Sequence, residues 1–406
     1  MSLEIRRSFL QNTTLANRLD TIDRIIWIGL IILVVSLIFS IAILQISIFI
    51  LTLATIVKIY LSPSKKFKLT LLDIAVILFL LSRLLSIPVS IDVLRSAGSL
   101  KKTPFFIMTY FVVSRNLETL DLKSINKLFK FLILSAILVS ILGIAKYFFG
   151  VEERVGSTSA GYTTLAIFLS TTFAFTLGTG IYYNIFKNKI IWALSLILML
   201  MCLAFTFARA QWIATFVVIL LAGIIKNKKI LPIAISAMLI LILISPKIRD
   251  RALTISNPLK YSSERTIILK GAAEVFPDRF WFGHGIGTFQ HIFPFKNEMK
   301  DKGVGRWHND YIQVFMESGF IGLAIFLNLI FWIFKSGISI FKTQLNENQY
   351  ILKGITFGII LSLVAFFVQS FASGFLGDPI SSILFWFFVA TLAALGQVIN
   401  LTPEFD

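Results

Sequence analysis

The 406-residue chain is 57% hydrophobic and 15% charged, with 40 Phe, and so has too little polar surface to cover a soluble globule. A net charge of +17 would point to nucleic acid in a soluble protein, but in a chain this apolar Lys and Arg are first expected in cytoplasmic loops, and no nucleic-acid partner is expected. The single cysteine, Cys202, excludes an intrachain disulfide.

From the N-terminus, the stretch MSLEIRRSFLQNTTLANRLDTIDR is polar and lacks the ordered regions of a signal peptide. A bilayer core about 30 Å thick needs roughly 20 apolar residues per helix. Apolar runs between charged breaks then predict twelve spans, near 25–41, 43–60, 70–89, 104–114, 129–149, 161–183, 189–206, 210–225, 230–246, 311–334, 350–373 and 380–401. The first two are separated only at Ala42 and its neighbours, which predicts a tight hairpin. The fold class is therefore an all-α polytopic membrane protein, a single integral membrane domain over residues 1–406.

Counting Lys and Arg orients it. Twenty of the 38 fall in the N-terminal segment and alternate loops of one face, and six in the short loops of the other. The basic face is cytoplasmic, with both termini on it. The long 247–310 segment faces outward as a large loop. Within it SERTIILKGAAEVF has apolar residues at helical spacing, with Ser262 or Ser263 as N-cap, and predicts a short amphipathic helix at the membrane surface that ends at Pro277. Asn309 or Asp310 caps the next span.

The stretch from Tyr261 to Gly322 holds all three histidines, His284, His291 and His308. His308 opens HNDYIQVFMESGFIG at a helix start, placed either to cap the helix or to take a proton near neutral pH. The histidine spacings match no metal-ligand pattern, so no metal and no cofactor is expected. Arg209, in AFTFARAQW, is a lone charge between two nearly continuous spans, which marks either a functional or paired group or a side chain snorkelling to the interface. Arg83, in LLSRLLS, either is structural or lines a cavity. Arg265 alone reads as a solvated residue of the amphipathic helix. The glycines of GHGIGTF read as tight-turn glycines, since a dinucleotide loop would need a preceding strand. Arginine forks match phosphate oxygens and can stabilise a phosphate or pyrophosphate leaving group while a histidine activates a hydroxyl.

At TFARAQW, SERTIIL, PDRFWFGHGIGTF (277–289) and HNDYIQVFMESGFIG (308–322) the chain resembles the O-antigen ligase and polymerase superfamily of bacterial surface-polysaccharide enzymes, over about 200–325. The resemblance implies an inverting, metal-independent membrane glycosyltransferase of GT-C-like helical fold, with its active site facing the periplasm of the inner (cytoplasmic) membrane. The donor would be a glycan on undecaprenyl pyrophosphate. By that match His308 is the catalytic base and Arg209 and Arg265 hold the pyrophosphate. Asn309, Glu317, Gly319 and Gly322 sit at pattern positions, with Gly285 and Arg83 in support. A ligase acting on a lipid A core acceptor ranks first and a polymerase joining lipid-linked repeats second. A protein oligosaccharyltransferase and a lipid or polysaccharide transporter rank lower, the latter because the charges gather on one outer face rather than in several mid-membrane helices.

Overall fold

A computed structural model describes residues 3–62, 69–100, 102–157, 160–226, 246–255, 265–299, 304–343 and 349–398, with positions 232 and 236. Among these no β-strand occurs. The helices are α1 (Leu3–Phe39), α2 (Ile41–Leu61), α3 (Leu71–Leu85), α4 (Val93–Leu100), α5 (Lys102–Leu117), α6 (Leu122–Phe148), α7 (Tyr162–Tyr182), α8 (Lys189–Phe205), α9 (Arg209–Ile225), α10 (Pro246–Leu253), α11 (Arg265–Val275), α12 (Phe289–Ile292), α13 (Asp310–Lys342), α14 (Gln349–Gln369) and α15 (Pro379–Val398).

Among the described residues, seven helices are long and apolar enough to cross a bilayer: Leu15–Phe39, Ile41–Leu61, Leu122–Phe148, Tyr162–Tyr182, Asp310–Lys342, Tyr350–Gln369 and Pro379–Val398. Four more of the twelve expected spans are shorter helices, α3 of 15 residues, α5 of 16, and α8 and α9 of 17 each. The expected span at 230–246 lies outside the described residues. Among the described residues, seven of the twelve expected spans are thus full-length helices and four are shorter ones. The hairpin of α1 and α2 turns on Ser40 alone, whose hydroxyl accepts the N–H of Ile43 and caps α2.

The centre of the bundle is α7, α14 and α15, the most buried of the spans. Helices α7 and α14 approach through glycine: a Cβ on Gly178 would lie 2.7 Å from the Cα of Gly358. Across this seam the Ser362 hydroxyl donates to the Thr171 carbonyl at 2.9 Å. Small residues and hydroxyl bonds are how helices associate where lipid removes the hydrophobic drive. At the base of α3, Thr70 and Asp73 form a capping box, and the buried Asp73 also accepts the Tyr110 hydroxyl at 2.7 Å and pairs with Arg115 at 3.1 Å, tying α3 to α5.

Segments that the charge count assigns to one face meet at one end of the bundle. Ile91 N–H donates to the His284 carbonyl at 3.1 Å, and Arg95 reaches the Gly287 carbonyl at 2.8 Å. Thr164 on α7 bonds Asp378 ahead of α15. At the opposite end Lys58 pairs with Asp23. If that first end is periplasmic, Cys substituted at the exposed Lys296 should react with an impermeant thiol reagent in intact cells, whereas Cys at Lys123 should not; the reverse pattern inverts the topology.

Candidate active site

The loop around residues 280–287 is held by a break in α13. Gly319 has φ 67° and ψ −168°, which stops the helix after Ser318. The break frees the carbonyls of Met316 and Glu317, and these accept the N–H groups of His284 at 2.8 Å and Gly285 at 3.1 Å. In return, Phe320 N–H donates to the Phe280 carbonyl at 2.7 Å and Ile321 N–H to that of Trp281 at 3.4 Å. Four backbone groups freed by the kink are thereby matched by the loop. Gly283, Gly285 and Gly287 all have positive φ, and a Cβ on Gly283 would lie 2.6 Å from the α13 backbone. These are tight-turn glycines, as their pattern predicts. His284 lies buried against Met316, its pKa lowered by burial. His291 bonds Arg95 at 2.9 Å and lies 3.5 Å from Asp92. Both of these histidines fasten loops.

Arg83, Glu317 and Gly285, assigned supporting roles, come together here. Arg83 on α3 ion-pairs with Glu317 and donates to the Ser318 hydroxyl at 3.1 Å. The other Glu317 oxygen accepts the Gly287 N–H at 3.0 Å and the Gln313 amide at 2.8 Å. Both side chains are less than one-tenth exposed. Removing one member of such a pair strands the other as a buried charge. Arg83→Met should destabilise the protein by about 3–5 kcal/mol, and Arg83→Met with Glu317→Leu should recover much of it. Thermal unfolding of the two variants in detergent checks this, and a double variant no more stable than the single one removes the pair from the argument.

The His308 turn is anchored on both sides. Trp307 is buried in a small apolar cluster outside the main core, its ring 4.8 Å edge-on from Phe289. Asn309 caps α13 by accepting the Ile312 N–H at 3.1 Å, and donates to the Phe371 carbonyl at 3.0 Å. Asp310 is not the cap: it is buried, and its carboxylate accepts the N–H groups of Phe375 and Leu376 and the Ser370 hydroxyl. Between these anchors half-buried His308 adopts φ 51°. A non-glycine residue held there stores strain that its surroundings must enforce, and such residues gather at functional sites.

Arg209 and Arg265 also come together, with two arginines that the sequence reading passed over. The turn between α8 and α9 places Phe207 at φ 54°. Its carbonyl accepts from Arg154 at 3.3 Å and from Arg251 at 3.2 Å, and Arg154 also reaches the Thr206 carbonyl and lies 3.5 Å over the Tyr162 ring. Arg209 donates to the Thr254 hydroxyl at 2.9 Å and to its carbonyl at 3.2 Å. Burial and then the charges of Arg209 and Arg251 lower the Arg265 pKa. Arg251 is lowered by burial and by Arg209 and Arg154. Four guanidinium groups acting on one another invite an anion.

The arginine cluster and the His308 turn are linked by α11. Arg265 begins it, and Ile268 and Ala272 on its buried face pack in the same apolar cluster as Trp307. The helix ends at Val275, ahead of Pro277 as expected, while Ser262 and Ser263 lie outside the described residues. Arg154 and Arg251 carried no signal in the sequence, because each has acidic neighbours there.

No curated protein matches the chain. Residues 194–327, which hold Arg209, Arg251, Arg265, the Gly283–Gly287 loop, His308 and the Gly319 break, match the family model described as O-antigen ligase. Residues 194–327 thus carry a domain of the O-antigen ligase family, in a chain whose several long apolar helices are those of a multi-pass membrane protein.

Proposed function

We propose that the protein is an O-antigen ligase of the bacterial inner membrane, which transfers a glycan from undecaprenyl pyrophosphate to a hydroxyl of lipid A core at the periplasmic face, with inversion and without a metal ion. The observation that carries this reading is the gathering of Arg154, Arg209, Arg251 and Arg265 around one strained turn, joined by α11 to the segment that bears His308. In the donor the pyrophosphate is a diester with two negative charges. As the acceptor oxygen attacks the anomeric carbon from the opposite face, the bond from that carbon to the phosphate oxygen breaks. Its electron pair leaves with the pyrophosphate, which then carries a third charge. Guanidinium groups fixed in advance stabilise that developing charge more than they stabilise the ground state. His308 accepts the acceptor's hydroxyl proton as the new bond forms.

The test is transfer by purified protein in excess EDTA, with lipid-linked glycan as donor and either lipid A core or a second lipid-linked glycan as acceptor. Product on lipid A core supports the ligase. Product only on the second lipid-linked glycan makes the protein a polymerase, and activity that returns only with an added divalent ion refutes metal independence.

A further inference from the structure

A cavity of about 200 Å³ opens beside the His308 segment, bounded by Gly305 and Arg306, by Gln313 and Glu317 on α13, and by α3, α5 and α15. A buried water needs only about 10–15 Å³ on this scale, while drug-sized ligands take roughly 300–1,000 Å³. The space therefore suits one small ring better than a chain. Its walls carry polar groups that the protein leaves unanswered. Ser382 on α15 is buried, 1% exposed, and its hydroxyl has no hydrogen-bond partner. Among the described residues, no hydrogen bond or ion pair engages the hydroxyls of Ser99 and Thr103 or the guanidinium of Arg306. Asp310, the acid whose charge acts on Arg306, uses its oxygens on Phe375, Leu376 and Ser370. Arg83 and Glu317 offset one another, so Arg306 is the cation left facing the space. Phe106 and Trp386 add apolar wall.

An orphan buried hydroxyl is costly unless a ligand completes it. The complement of this wall is a ring with several hydroxyls, a C–H face for the aromatic side chains, and a carboxylate for the planar fork of an arginine. We propose that this cavity is a binding subsite for a sugar-acid residue, with its carboxylate on Arg306 and a ring hydroxyl on Ser382. The subsite lies apart from the four-arginine cluster, none of whose members lines it. The glycan-transfer reading decides only which substrate brings the sugar, since binding itself is measured without turnover.

The full chain in lipid nanodiscs is titrated with methyl β-D-glucuronide and, separately, methyl β-D-glucoside, read by saturation-transfer NMR. The glucuronide should bind more tightly than the glucoside. Arg306→Gln should weaken the glucuronide roughly tenfold or more, as loss of a hydrogen bond to a charged group does, and leave the glucoside unchanged. Ser382→Ala removes the orphan hydroxyl, so its unfolding midpoint should hold or rise while both ligands weaken about two- to tenfold. Equal binding of the two glycosides to the wild type, or wild-type glucuronide binding by either variant, overturns the proposal. Displacement of the glucuronide by an equal concentration of inorganic pyrophosphate does so too, since it would make the cavity the diphosphate site. Should Arg306→Gln not fold, Ser382→Ala decides alone. Where transfer is measurable, a raised acceptor KM in Arg306→Gln assigns the sugar acid to the acceptor and a raised donor KM assigns it to the donor glycan. Failure of transfer with intact glucuronide binding refutes the proposed reaction and leaves the subsite standing.

Discussion

His308→Ala should reduce transfer by about 10²–10⁴ in kcat, the usual contribution of a positioned base, with donor binding held within a few-fold. The division follows from what each group does. A sugar hydroxyl has a pKa far above neutrality, so its attack is helped by a group that takes the proton during bond formation, whereas the phosphates would rest on arginines elsewhere. His308 is held at φ 51° between Trp307, buried in the outer apolar cluster, and Asn309 and Asp310, tied to the segment from Ser370 to Leu376. A side chain that served only to cap a helix would not require this, because Asn309 already caps α13. His284→Ala and His291→Ala should act on stability and spare kcat, since both side chains fasten loops. Donor binding and transfer measured side by side on the three variants separate the cases. Normal transfer by His308→Ala, or failure through lost donor binding alone, returns His308 to a structural role.

The sequence made the membrane helices legible because span length and apolar composition are local properties. The same signal marked α3, α5, α8 and α9, which are helices of 15–17 residues and shorter than the seven full-length ones. Glycine patterning announced the turns at 283–287, but ESGFIG gave no warning that Gly319 breaks α13. A glycine is tolerated within a helix, and the φ of 67° is imposed by a loop some thirty-five residues upstream in the chain. The likeness to the O-antigen ligase superfamily, read at 200–325, is borne out by the family match over 194–327. Arg83 is both structural and cavity-lining, the two readings that its position allowed, yet its partner Glu317 lies 234 residues away. A pairing of that range leaves no mark on a single sequence. Arg154 and Arg251 were missed for a related reason: each has acidic neighbours in the chain, and only the fold turns them onto the Phe207 carbonyl.

Arg209→Lys and Arg265→Lys should each fold yet lose transfer by about 10²-fold, the scale of removing one fixed donor from a developing negative charge. Lysine keeps the charge and loses the planar fork, so it can meet one phosphate oxygen where arginine meets two. Arg154→Lys and Arg251→Lys make the sharper comparison. Each of these guanidiniums is fixed by donating one edge to a turn carbonyl, which leaves the other edge for a ligand. A lysine ammonium pointed at the ligand gives up that anchor, and the expected loss is about tenfold, that of one hydrogen bond to a charged group. If the cluster answers the third charge that appears as the pyrophosphate leaves, all four variants should lower kcat more than they raise donor KM. They should also weaken inhibition by free lipid pyrophosphate more than binding of the intact donor. Equal weakening of donor and product would mean that the arginines only bind, contributing to KM and not to the chemical step. Near wild-type rates for both Arg209→Lys and Arg265→Lys would remove the cluster from the reaction altogether.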